Sequence, residues 1–188
     1  MSLTKAAPRG RIETTHGIYR IVAATRGMTA KAVAYAGMRL ILQTDGDDEE
    51  AATGEALRQL DARTEALRIA RVEGVPTAEE YLDALSALAP ANARGELMRM
   101  LGVHMRLPDA EVTAARLARI SSLDEGEVWR TYGRLGRRIS AALTLGRERR
   151  RSGDRYVVDA FAAVTEQDDD LVIRLHPSFV EAVRSFRS

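Results

Sequence analysis

Between Val112 and Leu145 the chain reads VTAARLARISSLDEGEVWRTYGRLGRRISAALTL, two helical periods joined by a short polar turn. Thr113 stands where it can cap a short helix over Ala114–Ser121, and Asp124 or Glu125 where a longer one begins, running to about Leu145. On that second helix Arg130, Arg134, Arg137 and Arg138 recur at spacings that gather them on one face, while Trp129, Leu135, Ile139 and Leu143 line the other. A candidate two-strand hairpin follows, first strand Tyr156–Val164, then a turn at Gln167–Asp170, then Leu171–Leu175. This order is the sequence pattern of a helix-turn-helix with a wing, a shape that fits a DNA groove.

Gly133 and Gly136 are unusual inside a helix, where each costs about 1 kcal/mol relative to alanine. They permit close approach of the backbone to a phosphate or to a neighbouring helix. Alternatively they mark a break, with Tyr132-Gly133 as a turn. Tyr132 and Gly133 therefore join the candidate DNA-binding residues. So do Arg147, Arg149, Arg150 and Arg151, in the basic connection RERRRSGDR before the hairpin, where they would track phosphates without reading sequence.

The net charge of +1 hides a segregation. From Asp45 to Asp83, 12 acidic residues face four arginines, a net of −8. From Trp129 to Arg155, nine arginines face two acids, a net of +7. A chain divided in this way can present a basic face to a polyanion. Of its 28 basic residues only Lys5 and Lys31 are lysine, which a GC-rich genome explains, so the number of arginines is no argument by itself.

Upstream, Gly17–Ala24, Thr29–Tyr35 and Arg39–Thr44 read as a three-stranded antiparallel meander, which needs a helix on one face to be stable. The acidic run Asp45–Glu50 suits the electropositive start of that helix, and Leu57, Leu60, Thr64, Leu67 and Arg71 supply a stripe. The helix is expected from Asp48 to Glu73, near 40 Å long at about 1.5 Å per residue, so its far end must pack on another domain or on a second copy. After Gly74-Val75-Pro76, Thr77-Ala78-Glu79-Glu80 is a capping box opening a helix through Ala89. A further helix spans Ala93–Met105, and Pro177 starts a C-terminal one with Phe179, Val180, Val183 and Phe186 inward. The expected class is α+β with two domains: a meander plus long helix over 12–74, and a helical, winged helix-turn-helix-like domain over 77–188.

Several classes are set aside. No apolar run is long enough to span a bilayer, the N-terminus lacks a secretory core, and without cysteine there are no disulfides or thiolate zinc sites. His16, His104 and His176 have no partners at metal-ligand spacing, and His104 reads as a core residue. Nucleophile-elbow and phosphate-loop motifs are missing. No catalytic residue, metal or cofactor is therefore expected, and the bacterial cytoplasm is the simplest location.

Two resemblances add to this. The meander followed by Thr44-Asp45-Gly46-Asp47-Asp48-Glu49-Glu50-Ala51 and a long helix resembles the strand–strand–strand–helix unit of HicB-like antitoxins, over roughly residues 14–73. That resemblance implies pairing with a toxin-like partner or with a second copy. Met100-Leu101, His104, Pro108, Thr113-Ala114, Leu117-Ala118 and Tyr132-Gly133-Arg134-Leu135-Gly136 resemble a module of bacterial proteins sometimes joined to HNH-type nuclease domains in restriction systems that sense modified DNA. It covers roughly 97–145; Ser121-Ser122-Leu123 stands where that pattern has Gly-Tyr. It implies double-stranded DNA as the partner, a reader of modified DNA as the narrower role, and a separate nuclease partner, since this chain carries none. The rival expectation is an interaction or antitoxin-like module whose acidic long helix docks a protein partner.

Overall fold

A computed structural model describes residues 11–26, 29–88, 95–145, 157–167 and 170–187. The chain forms two compact units, divided between Ile69 and Ala70.

The first unit is an antiparallel sheet of four strands in sequence order: β1 (Arg11–His16), β2 (Tyr19–Arg26), β3 (Thr29–Ala36) and β4 (Arg39–Gly46). The sequence reading placed three strands here; Arg11–His16 is the additional one, pairing along β2 from Arg11↔Ala24 to His16↔Tyr19. Its apolar content is low because alternate positions face water. The alternation of β3 puts Ala30, Ala32, Ala34 and Ala36 on one face, all fully buried. Side chains this small let helix α1 (Glu49–Ile69) lie close to the sheet through Ala52, Ala56 and Leu60. The closeness is visible at Gly46, where a Cβ would stand 2.4 Å from the Ala52 nitrogen. The acidic run does start the helix: Asp48 Oδ1 accepts a bond from the Ala51 amide at 2.7 Å. The helix ends at Ile69, earlier than the expected Glu73. Its covered stripe is Ala52, Thr53, Ala56 and Leu60; of the expected Leu57, Leu60, Thr64, Leu67 and Arg71 only Leu60 is buried, and Arg71 lies beyond the helix.

The second unit opens with a two-residue hairpin, Val72 bridging Val75, whose central Glu73 and Gly74 both have positive φ, 51° and 75°. Helix α2 (Ala78–Leu88) then starts with the expected capping box. The Thr77 hydroxyl accepts the Glu80 amide at 3.2 Å, and the Glu80 carboxylate accepts the Thr77 amide at 2.9 Å. Glu80 also accepts from Arg71, whose Nε–H is shared between the two carboxylate oxygens at 3.0 and 3.2 Å and whose Nη2 donates at 2.5 Å, in a pair whose side chains are 7% and 16% exposed.

Helix α3 (Glu96–His104) follows, and a 3-10 turn at Pro108–Ala110 leads into a short strand, β5 (Glu111–Thr113). Helices α4 (Ala114–Ser121) and α5 (Glu125–Ala142) come next, then strands β6 (Ala162–Gln167) and β7 (Asp170–Leu175), and finally α6 (Pro177–Arg187). The second sheet has the order β5-β7-β6, all antiparallel, so the strand before the helix pair joins the hairpin after it. Within Tyr156–Val164, expected as one strand, residues Val158–Ala160 form a 3-10 turn instead. The Phe161 amide closes it on the Val158 carbonyl at 3.0 Å, and the strand begins only at Ala162.

Tyr81, Phe179, Phe161, Tyr132 and His104 form a connected row of rings through this core, with successive centroids 5.2, 4.9, 5.3 and 6.0 Å apart. The first three contacts are edge-on or tilted and the last is stacked, and ring pairs of this kind favour one arrangement beyond what area burial gives. No helix among the described residues is long and apolar enough to cross a membrane.

Candidate nucleic-acid interface

Helix α4 is capped by Thr113, whose hydroxyl accepts the Arg116 amide at 3.2 Å, and ends at Ser122 in the left-handed conformation, φ 57°. That turn reverses the chain within three residues. Asp124 then opens α5 with a complete capping box: its carboxylate accepts the Glu127 amide at 2.7 Å, and Glu127 accepts the Asp124 amide at 3.0 Å. The acids of the first turn are held on their own helix in this way, and Glu125 likewise accepts from the Trp129 indole at 3.3 Å.

The core side of α5 is Val128, Thr131, Tyr132, Leu135, Gly136 and Ile139. On the opposite side Arg130, Arg134, Arg137 and Arg138 are all exposed. Gly126, Arg130, Arg134, Arg137 and Ala141 follow one line along the helix, at spacings of four, four, three and four residues, and no carboxylate lies on that line. The arginine part of it is about 10 Å long at the rise of an α-helix.

Arg137 has a partner within the protein, and the other three arginines differ in what holds them. Arg130 lies 3.7 Å from the Asp124 carboxylate. Arg138 donates to the carbonyl of Leu88, the last residue of α2, an acceptor at a helix end that has no partner within the helix. Arg134 reaches Thr131 Oγ1 of its own helix at 3.4 Å, a long and weak bond. Arg116 and Arg119 on α4, not among the sequence candidates, are two further exposed cations; their spacing of three residues was the signal for a shared face.

Two candidates are corrected. Tyr132 is fully buried and Gly133 is buried, so neither can touch a nucleic acid. The helix runs unbroken through both, which removes the reading of Tyr132-Gly133 as a turn. The Tyr132 hydroxyl instead meets His104 Nδ1 at 2.8 Å. His104 Nε2 lies 3.2 Å from the Ile173 carbonyl, which can only accept. Nε2 therefore carries the proton, and Nδ1 accepts from Tyr132. Burial, the dominant cause, holds the His104 imidazole down to about 4, against the weaker upward pull of the Ile173 and Ala110 carbonyls. Burial also pushes the Tyr132 phenol up. This neutral pair ties α3, α5 and β7 together inside the core; sequence spacing places His104 in the core without naming its partner.

Gly136 has a packing role. A Cβ there would stand 2.1 Å from the carbonyl oxygen of Val157, so the glycine admits the backbone entering the 3-10 turn. The close approach expected of this glycine is made here to the Val157 backbone, a partner the sequence does not announce. Arg147, Arg149, Arg150 and Arg151 lie outside the described residues. The hairpin beyond them carries exposed Glu166 and Asp170 at its tip.

Among the described residues no three His, Asp or Glu side chains are grouped to hold a metal ion. No family model matches the chain, and neither a curated protein nor a solved structure matches it.

Proposed function

We propose that the protein binds double-stranded DNA without catalysis, with α5 as the helix that enters the major groove. The observation carrying this reading is the line of exposed arginines on α5, opposite a packed face. A major groove about 12 Å wide accepts one helix, and arginine pairs with phosphate oxygens and guanine edges in its fork geometry. The element order α3, β5, α4, α5, β6, β7 supports reading the second unit as a winged helix-turn-helix: a strand before the helix pair completes the sheet of the hairpin after it. The A-form major groove of RNA is too narrow for a helix, which favours DNA.

The wing in this reading is unlike a phosphate-gripping one. Glu166 and Asp170 at the tip repel the DNA backbone, so affinity comes from α5 and from the basic connection at 147–151.

The test is a titration of the full chain with a duplex at about 50 and 200 mM salt. With two to four phosphate contacts, affinity is expected to fall roughly 10- to 150-fold over that range. Replacing Arg134 and Arg137 together by alanine weakens binding and flattens the salt dependence. Affinity that ignores salt, or that survives both substitutions, overturns the assignment. Parallel titration with modified and plain duplexes of one sequence decides whether modification is read.

A further inference from the structure

Resting on the DNA reading of α5, we infer that Arg134 is its specificity-determining residue, placed to take a guanine edge on the groove floor. The other exposed arginines of the helix hold phosphates or the protein itself.

Helix geometry separates them. At about 100° per residue, the exposed arc of α5 lies between buried Gly133 on one side and buried Thr131 on the other. The midline of that arc passes between Arg130 and Arg134, each roughly 20° from it, whereas Arg137 and Arg138 lie about 40° and 60° towards the flanks. When a helix lies in a groove, its midline faces base edges and its flanks face the phosphate walls.

Of the two midline arginines, Arg130 stands beside the N-cap carboxylate of Asp124, at 3.7 Å, which offsets its charge and draws it back towards the helix start. Arg134 is held only by the 3.4 Å contact to Thr131 Oγ1 among the described residues, and a better acceptor displaces that easily. Of the other residues near the midline, Ala141 lies on it and carries no polar side chain, and Glu127, about 40° from it, is held by the Asp124 amide at 3.0 Å. Base reading from the centre of this helix therefore falls to a guanidinium, and the base edge that accepts two parallel N–H bonds from it is guanine, through O6 and N7.

The experiment is selection from a duplex library with a randomised core, using the full-length wild type, Arg134→Ala, Arg134→Lys and Arg137→Ala. Arg134 is exposed, and thermal unfolding checks that each variant keeps the fold. The wild type is expected to enrich guanine at one or two positions. Arg134→Ala should lose that preference by roughly 5- to 150-fold in relative affinity at the guanine position. Arg134→Lys should keep much of the salt-dependent affinity and still lose the preference, since lysine lacks the fork. Arg137→Ala should weaken all sequences alike, lowering the salt slope by about one. A guanine preference retained by Arg134→Ala, or salt-dependent binding with no guanine preference in the wild type, overturns this inference while leaving DNA binding intact. A wild type that binds no duplex overturns both.

Discussion

The carbonyl oxygen of Val157 occupies the place where a side chain on Gly136 would begin, 2.1 Å from an ideal Cβ. The contact is backbone against backbone, so neither partner can turn aside as a flexible side chain would. It explains why a residue of poor helix propensity stands in the second half of α5.

Gly136→Ala is therefore expected to destabilise the second unit by about 1–3 kcal/mol, more than the gain of up to about 1 kcal/mol in helix propensity can offset. Gly126→Ala is the control. Its Cβ would meet only the ends of the Asp124 and Arg130 side chains, at 3.0 and 3.2 Å. The Arg130 end can move and the Asp124 oxygen, which caps the helix, has to give by only a few tenths of an ångström, so this change should cost much less than Gly136→Ala. Thermal unfolding of the two variants decides it; equal melting temperatures would refute the packing role of Gly136.

The buried pair of His104 and Tyr132 makes stability depend on pH. The folded state holds the imidazole near 4 while the unfolded chain has it near 6.5. Between those values the unfolded state binds the extra proton, so stability is full above about 6.5 and is lost as pH falls towards 4. The loss from this group is on the order of 3 kcal/mol. Urea unfolding from pH 7.5 to 4.5 should show a decline that is shallower in His104→Gln. Tyr132→Phe leaves Nδ1 without its donor and should cost about 1–3 kcal/mol. DNA affinity per folded molecule should stay the same, because Tyr132 does not reach the surface.

Arg71 and Glu80 join the start of the second unit to the start of α2, and their side chains are 16% and 7% exposed. Burial this deep makes the loss of one partner expensive, since a charge is left behind. Arg71→Ala or Glu80→Ala alone should cost about 3–5 kcal/mol, and the double Arg71→Met, Glu80→Met variant markedly less. Chemical denaturation of the three variants gives the comparison. Single variants as stable as the wild type would show that the pair contributes little.

Much of this architecture is legible in the sequence wherever a local rule sets it. Thr113, Asp124 and Thr77 announce their helices because a cap is chosen by the residue and its neighbours within one turn. The exposed arginine face of α5 follows from spacing alone. Other features depend on what arrives from far away. Arg11–His16 becomes a strand through pairing with β2, and its own composition is too polar to announce it. The turn at Val158–Ala160 interrupts a run of strand-forming residues because that backbone lies against Gly136. Tyr132 was misplaced on the interface for the same reason. Its partner His104 lies 28 positions away, and only the packed core brings the two together.

The hairpin tip offers the last test, because its charge has the wrong sign for a phosphate clamp. Glu166 and Asp170 are exposed on β6 and β7 at the end where Gln167 pairs with Asp170. If α5 lies in the major groove with this hairpin beside it, the two carboxylates sit near the adjacent backbone and oppose binding. Glu166→Gln with Asp170→Asn should then raise duplex affinity by roughly 2- to 10-fold at about 10 mM salt, where charges interact over about 30 Å. The gain should shrink towards unity at about 150 mM, where the screening length is about 8 Å. Duplex titrations at the two salt concentrations measure this. An affinity unchanged at low salt would place the hairpin away from the DNA and remove the wing from the mode of binding, with α5 left to act alone.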